Sequence, residues 1–441
     1  MTKKKIEEIM NICVIGTGYV GLVAGTCLAE MGNSVICVDN DTKKLAKLRK
    51  GIIPIYEPGL EELITVNVAE GRLTFSNDLD KAVKNSLICF IAVGTPQGDE
   101  GSADLSAVHQ VAKNIAKSMN EYKIIVNKST APVGTAEKLA EIIKKNTTFE
   151  FDVVSNPEFL KQGNAVEDFL KPDRIVIGSN SQNATEIMQE LYSPFLRTGN
   201  PVITMDVKSA EMTKYAANSF LAVRISYMNE IANICEKVGA DIEMVRIGMC
   251  SDNRIGSKFM FPGIGYGGSC FPKDIKAMIK TAIEFECEHK ILKSADETNK
   301  NQRKIFTKKI LNKFGQDLKG KTFAIWGLAF KPKTNDMREA PSITIIEDLL
   351  ARGAKVAAFD PKAMETAKKI FSNKIKYAKN AYDALKNADG LLLLTEWNEF
   401  RHPDFDKIKS LLKMPVIIDG RNQYDKKQLK EKGFEYICIG K

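Results

Sequence analysis

The segment that most constrains this chain is Ile12-Cys13-Val14-Ile15 running into Gly16-Thr17-Gly18-Tyr19-Val20-Gly21, followed by Ser34-Val35-Ile36-Cys37-Val38-Asp39. Continuous apolar runs of this kind suit strands buried on both faces. The stretch after Gly21 keeps helical spacing to Glu30, and the second run closes on an acid about twenty residues beyond the glycines. Strand, glycine turn, helix, strand and acid together are the context in which Gly16-x-Gly18-x-x-Gly21 reads as a dinucleotide fingerprint. The glycines permit a tight turn and close backbone approach to a pyrophosphate on the helix N-terminus. Asp39 would accept hydrogen bonds from ribose hydroxyls and repel a 2′-phosphate, which favours NAD over NADP. The alternative is a glycine-rich turn with no ligand.

Further buried runs occur at Leu87–Val93, Ile124–Asn127 and Phe151–Ser155, with helical patterns between them. Asp173–Gly178 and Pro201–Thr204 read as the last strands of the same sheet. From Val202 to Val238 there is neither Gly nor Pro, which predicts one long helix or two abutting ones, stopped at Gly239. Helices are expected near Lys273–Phe285 and Lys300–Phe314. The first pattern then returns: Thr322–Gly327 is a strand entering a glycine turn, Pro341–Arg352 is helical, and Lys355–Asp360 is a strand closing on an acid. Ala388–Thr395 and Val416–Asp419 add strands. The expected fold is α/β, with two Rossmann-like, doubly wound parallel-sheet domains joined by a long central helix and a helical middle region. The expected boundaries are 1–203, 204–316 and 317–441. The last domain lacks the full glycine signature, so it binds something other than a dinucleotide or supports the first.

Composition excludes several classes. The net charge is +9, but Lys and Arg are interleaved with Asp and Glu, and tracts such as Lys3-Lys4-Lys5 are isolated. This reads as solvated surface with a mild attraction for anions, and no nucleic-acid partner is expected. Nine cysteines form no C-x-x-C pair, and His109, His289 and His402 are the only histidines. A disulfide framework and a metal site are therefore not expected, and a reducing compartment is. The first residues carry no apolar stretch of the signal-peptide kind, and the longest aliphatic run, Leu391–Leu394, is too short to span a bilayer. A cytoplasmic protein with no membrane partner is the expectation.

Cys270 stands apart from the cysteines in apolar periodic segments (Cys13, Cys37, Cys89 and Cys438 in strands, Cys27 and Cys235 in helices). It follows Gly263-Ile-Gly-Tyr-Gly-Gly268-Ser and precedes Phe-Pro272-Lys273-Asp274, just ahead of a helix start. The helix dipole and Lys273 would favour the thiolate, the nucleophilic form; an incidental loop cysteine is the alternative. Gly94-Thr95-Pro96 and Ser129-Thr130-Ala-Pro-Val-Gly134 follow buried strands, so they lie at the carboxyl edge of the sheet as cofactor lining or as ordinary turns. Asn156-Pro157-Glu158 also reads as a helix start, with Asn as cap and Glu in the first turn. Lys214 and Asn218, four apart on the long helix, share a face; a solvent-facing lysine is the alternative there.

Taken in order, Gly16–Gly21, Gly98–Asp104, Ser129–Gly134, Asn156–Leu160, Pro172–Gly178, Glu211-x-x-Lys214-Tyr-x-x-Asn218, Gly263–Asp274, Gly327–Lys331, Asp336-x-Arg338-Glu and Asp419-Gly-Arg421 resemble the nucleotide-sugar 6-dehydrogenases, and among them the UDP-glucose 6-dehydrogenases. The resemblance implies NAD as cofactor, UDP-glucose as substrate and a homodimer. It implies that Cys270 is the nucleophile, and that Lys214 and Asn218 position the C6 oxygen with Asp274 beside the same water. Glu158 would move protons in hydrolysis and Thr130 would hold the water. The implied cofactor set is Gly16, Gly18, Tyr19, Val20, Gly21, Asp39, Lys44, Thr95, Pro96, Ser129, Thr130, Glu158 and Lys273, with Arg338 approaching from the last domain. Phe159, Leu160, the Phe259–Gly267 loop with Gly263 and Gly267, Lys331 and Arg421 would line the sugar-nucleotide site with Lys214 and Asn218. Arg254 would reach the partner's substrate.

The chemistry implied is alcohol to aldehyde, thiolate attack to a thiohemiacetal, oxidation to a thioester, and hydrolysis to a carboxylate. A covalent anchor retains the reactive aldehyde between two hydride transfers, and no metal is needed. The rivals are a sister enzyme acting on GDP-mannose or a UDP-N-acetylhexosamine, a single-step hydroxyacid dehydrogenase, and a non-catalytic NAD-binding regulator. The hydroxyacid type would have no use for Cys270, and a regulator should have lost Cys270, Lys214 or Asp274, all three of which are present.

Overall fold

The computed structural model describes residues 9–98, 101–196 and 199–441. The leading segment with its lysine tract, and Asp99 and Glu100 of the Gly98–Asp104 motif, lie outside these residues. The chain divides into two compact units, up to Ala216 and from Ala217.

The first unit holds β1 Asn11–Ile15, β2 Ser34–Val38, β3 Leu73–Ser76, β4 Ile88–Ile91, β5 Lys123–Asn127, β6 Phe151–Ser155, β7 Ile175–Gly178 and β8 Val202–Met205. They form one sheet in the order β3-β2-β1-β4-β5-β6-β7-β8. Pairing is parallel from β3 to β6 and between β7 and β8; β6 and β7 meet antiparallel at Ser155 and Gly178. The strand order runs outward in both directions from β1, which makes the β1–β4 junction a topological switch point. The apolar run of β1 is explained by its two faces. Ile12 and Val14 pack with Leu22, Leu28 and Phe90, while Cys13 and Ile15 pack with Ile91, Val108 and Ile115 on the other side. Every side chain of the strand from Ile12 to Ile15 therefore lands in a core.

Helix Tyr19–Glu30 is buried continuously from Gly21 to Ala29. A Cβ on Gly21 would stand 1.9 Å from the Gly16 carbonyl oxygen, and one on Gly25 would stand 2.4 Å from Cys37 Sγ. Glycine at these positions is what lets the helix lie against β1 and β2. The breaker-free stretch forms a single helix, Val207–Val238, 32 residues long, ended by Gly239 at φ +77°.

The second unit repeats the plan with β9 Thr322–Trp326, β10 Lys355–Phe359, β11 Lys376–Tyr377, β12 Gly390–Leu393, β13 Val416–Asp419 and β14 Glu435–Ile437, in the order β11-β10-β9-β12-β13-β14, all parallel. Phe323 and Ile325 enter one core, Ala324 and Trp326 the other. Met228, Ala232, Cys235 and Phe306 pack in the first of these, so helices ahead of β9 cover that face of the sheet. The helix expected at Lys300–Phe314 begins earlier, at Lys290. Its buried stripe includes Asp296, Asn299 and Gln302, so apolar periodicity does not reveal its first turns. Cys438 lies just past β14 rather than in a strand, though it is buried as a core residue. Among the described residues no helix is long and apolar enough to cross a membrane.

Gly21→Ala, which must displace backbone, is expected to cost ~1–3 kcal/mol and to lower the melting midpoint by several degrees. Gly18→Ala, whose Cβ would meet nothing within 4 Å, should leave the midpoint unchanged. Calorimetry of the two variants checks the contrast; equal midpoints would refute the close-packing account of Gly21.

Candidate active site

In the first unit, the carboxyl ends of the strands deliver the polar groups. The turn after β1 places Gly16 at φ +101°, where a Cβ would meet the Ala92 carbonyl oxygen at 2.7 Å. Gly18 caps helix Tyr19–Glu30 with no side-chain hydrogen bond and open space around its α-carbon. The first N–H groups of the helix are thus left for an anion, and the cradle fits a dinucleotide pyrophosphate. At the end of β2, Asp39 Oδ2 accepts from Thr17 N (2.9 Å), Thr17 Oγ1 (2.6 Å) and Lys44 Nζ, and Oδ1 accepts from Asp41 N (3.0 Å). Burial pushes this carboxyl up, but the bonds from Lys44 and Thr17 outweigh it and hold it at about 2, so it stays ionised. Tyr19, the first residue of the helix, turns its hydroxyl to Glu57, whose carboxylate also accepts from Gly163 N and Ala165 N at 2.7 Å each. The loops after β4 and β5 are tied by Thr95 Oγ1 donating to Thr130 O (2.8 Å) and Ser129 Oγ donating to Val93 O (2.7 Å). Pro96 and Val20 follow in the same loop and helix.

Glu158 lies in irregular chain, and no helix begins at Asn156; the next one starts at Ala165 with Asn164 as its cap. The helix-start alternative therefore does not describe this segment. Lys214 is buried, not solvent-facing: its Nζ donates to Glu158 O at 2.6 Å and Glu158 Oε1 at 3.0 Å, and both side chains are 5% exposed. Glu158 Oε2 accepts from Leu160 N at 2.6 Å. Burial raises the Glu158 pKa, yet the Lys214 charge and hydrogen bond bring it below the usual range. The Phe159 ring lies 3.5 Å from the Arg174 guanidinium and 5.4 Å from Lys214 Nζ.

Glu211 stands in a motif the sequence offers, but the sequence assigns it no role. Its two oxygens accept from Gly134 N (2.6 Å) and Ala136 N (2.8 Å), capping helix Thr135–Lys144 and fixing the loop that carries Thr130. Burial pushes it up to about 7, against the lowering effect of those N–H groups. Its place one turn before Lys214 in the Glu211-x-x-Lys214 pattern was the available signal.

In the second unit, Cys270 occupies the cap position of helix Phe271–Glu284, with Pro272 in the first turn and no side-chain cap. Its carbonyl accepts from Asp274 N at 2.7 Å, and Sγ lies 3.6 Å from Ser269 Oγ. Asp274 is 1% exposed; Oδ2 accepts from Asn218 Nδ2 at 2.6 Å, and Oδ1 is 2.8 Å from Lys273 Nζ, an ion pair whose angles are not those of a hydrogen bond. Arg338 is held by a hydrogen bond from its guanidinium to Asp336, which raises its pKa, and Cys270 is among the charges acting on it.

The glycine loop ahead of Cys270 is gripped by amides. Gly263 N donates to Asn229 Oδ1, Gln302 Nε2 donates to Gly263 O, and Asn299 accepts from Tyr266 N and donates to Tyr266 O. A Cβ on Gly267 would lie 2.3 Å from Glu339 O. Arg421 Nε donates to Leu394 O at 2.9 Å, and its terminal nitrogens approach Gly265 O and Phe330 O, beside Lys331. Phe259, at φ 62°, sets its ring 5.9 Å from Phe271. Arg254 is not drawn into this cluster; it is 89% exposed and pairs with Asp252 at 2.6 Å.

The two acids that close the second strand of each sheet differ. Asp360 is fully buried and accepts from Leu328 N, Ala329 N, Lys362 N, Ala363 N and Trp397 Nε1. A Cβ on Gly327 would collide with Thr395 at 2.4 Å. The acid that could greet a ribose is spent on closing its own turn.

Asp39→Ala is expected to weaken NAD and narrow the preference over NADP by tenfold or more, about 1.4 kcal/mol, because repulsion is lost and Lys44 is released toward a 2′-phosphate. Paired kcat/KM values measure this; an unchanged ratio would remove Asp39 from cofactor selection.

Models of the UDP-glucose/GDP-mannose dehydrogenase family match three consecutive stretches: the NAD binding domain at residues 10–196, the central domain at 208–301 and the UDP binding domain at 324–426. The chain is 49% identical over 433 residues to a UDP-glucose 6-dehydrogenase of Bacillus subtilis, covering 98% of this chain and 93% of that one. A UDP-glucose 6-dehydrogenase of Pseudomonas aeruginosa is 46% identical over 442 residues, covering 98% of each. A solved UDP-glucose dehydrogenase from the archaeon Pyrobaculum islandicum matches with a TM-score of 0.91 at 34% identity, covering 98% of both chains. With its NAD-binding, central and UDP-binding regions matched in order, the chain belongs to the UDP-glucose/GDP-mannose dehydrogenase family.

Proposed function

We propose that this chain oxidises the C6 alcohol of UDP-glucose to a carboxylate, with NAD as oxidant and Cys270 as covalent anchor. The observation that carries the reading is Cys270 at an open helix N-terminus, one turn ahead of the buried Asp274–Asn218 pair. The choice of UDP-glucose over GDP-mannose or UDP-N-acetylhexosamines is supported by the names of the relatives most similar in sequence.

Bound NAD supplies a hydride acceptor for each of two oxidations. The Cys270 thiolate adds to the C6 aldehyde carbon, forming a C–S bond and an alkoxide that Lys214 and Asn218 stabilise as donors. Loss of a second hydride leaves a thioester. Water held by Thr130 gives a proton to Glu158 as it attacks, the C–S bond breaks, and the thiolate returns. The balance is one alcohol, two NAD and one water to one carboxylate, two NADH and three protons.

The same reading assigns segment 204–316 to homodimer formation. Phe220 (60% exposed), Tyr227 (49%) and Ile234 (49%) recur at seven-residue intervals along one helix, and Met244 and Ile247 are exposed on the next. In a dimer, Arg254 would serve the partner's substrate. A cytoplasmic setting fits cysteines that form no disulfide among the described residues.

A panel of nucleotide sugars should give turnover best with UDP-glucose and two NADH per sugar; one NADH per sugar would indicate a simple alcohol dehydrogenase. Cys270→Ser should lose several orders of magnitude in kcat while still binding NAD. Glu158→Gln should accumulate the thioester, seen by intact-protein mass spectrometry as one added oxidised nucleotide sugar and absent from the Cys270→Ser, Glu158→Gln double variant. Near-normal turnover of Cys270→Ser would end the covalent mechanism. Sedimentation should show a dimer that Tyr227→Asp weakens; a monomeric wild type refutes the assembly.

A further inference from the structure

A second lysine is buried beside Glu158 and has no part in the scheme above. Lys128, in the loop leaving β5, is 4% exposed. Its partners among the described residues are neutral. Nζ donates to Asn156 Oδ1 at 2.9 Å, approaches Tyr192 OH at 3.5 Å, and sits 5.6 and 5.9 Å from the Phe169 and Tyr192 ring centres. Tyr192 OH donates to the same Asn156 oxygen at 2.6 Å, while Asn156 Nδ2 donates to Val176 O at 2.8 Å. The Asn156 amide is thus fixed from both ends, and Glu158 follows it by two residues through Pro157. Lys128, Asn156, Glu158, Phe159, Arg174 and Tyr192 line one cavity of about 80 Å³.

An ammonium with only neutral partners is costly to bury, and for packing alone an apolar residue would serve better. Around Glu158, Lys214 already supplies one ion pair. We propose that Lys128 is a positioning residue for Glu158: it fixes the Asn156–Glu158 turn and adds a second buried positive charge that keeps the Glu158 carboxylate ready to accept a proton. This rests on the reading in which Glu158 takes the proton of the hydrolytic water. The charges agree with the geometry: burial lowers the Lys128 pKa to about 8 with Glu158 opposing, and Lys128 is among the groups that lower Glu158. The other groups facing Glu158 are Lys214, Arg174, the Tyr19 phenol and Leu160 N–H.

The test uses the full-length enzyme. Lys128→Gln keeps a donor for Asn156 and drops the charge; Lys128→Arg keeps the charge. In the wild type the acid limb of the kcat profile marks protonation of Glu158. Lys128→Gln should move that limb about one pH unit higher, with the KM for NAD unchanged, and Lys128→Arg should leave it in place. A folded Lys128→Gln enzyme with an unmoved limb overturns the proposal. Should that variant not fold, an upward-moved limb in Lys128→Arg overturns it as well.

A second readout needs no turnover. A carboxylate with a depressed folded pKa stabilises the fold above its unfolded pKa and loses that contribution as pH falls through the folded value. The melting-temperature gap between wild type and Lys128→Gln should therefore change across the acidic range, and be flat when both carry Glu158→Gln. A wild type that makes no NADH from UDP-glucose sinks the functional reading. The two stability curves then judge Lys128 alone, and identical curves overturn its role.

Discussion

A sheet buried on both faces leaves no room for polar chemistry except at the ends of its strands, and this constraint organises the first unit. Ile12 and Val14 go to one core and Cys13 and Ile15 to the other, so neither side of β1 can carry a charge without desolvation. The polar residues therefore gather where the strands stop: the Gly16 turn, Asp39, Thr95, Ser129 and Asn156. Parallel pairing puts all of these stops on one edge, beside helix N-termini whose N–H groups need acceptors. An anion cradle is the outcome of that arrangement, because the helix at Gly18 keeps its first donors uncapped.

Buried charge is the second theme, and each case has a geometric task. Glu211 satisfies two orphan N–H groups of one helix, and Glu57 does the same for Gly163 and Ala165. Glu158 and Lys214 neutralise one another at a place where neither is solvated. A buried pair of this kind contributes little net stability, since desolvation consumes most of the attraction. What it secures is a single orientation of both side chains.

The second unit shows the same economy turned to scaffolding. Asp360 and Asp419 are fully buried carboxylates whose acceptors are taken up by backbone N–H groups, the Trp397 indole and the Tyr436 hydroxyl. Burial pushes Asp419 up, and the donors around it offset this only in part. By holding Arg421 N it aims that side chain toward the Gly263–Gly265 turn. Two sheets of one plan thus differ in what their acids are free to do. Asp39 is 9% exposed at the cradle, whereas Asp360 is fully buried.

The chain itself determined its strands, its fingerprint, its long helix and the singular setting of Cys270, because those depend on local periodicity and on where glycine and proline are allowed. It left Glu158 readable as a helix start and Lys214 as a surface lysine, since one-dimensional pattern cannot say which polar residues are covered. For the same reason the sequence assigns no role to Lys128, which abuts a buried strand, or to Glu211, which stands in a motif one turn from Lys214. Apolar periodicity does not mark the first turns of the helix from Lys290 because its buried stripe is built from Asn299 and Gln302, which clasp the glycine loop instead of filling a core. Only tertiary packing decided these, by removing water from particular polar groups and obliging each to find a partner within the protein.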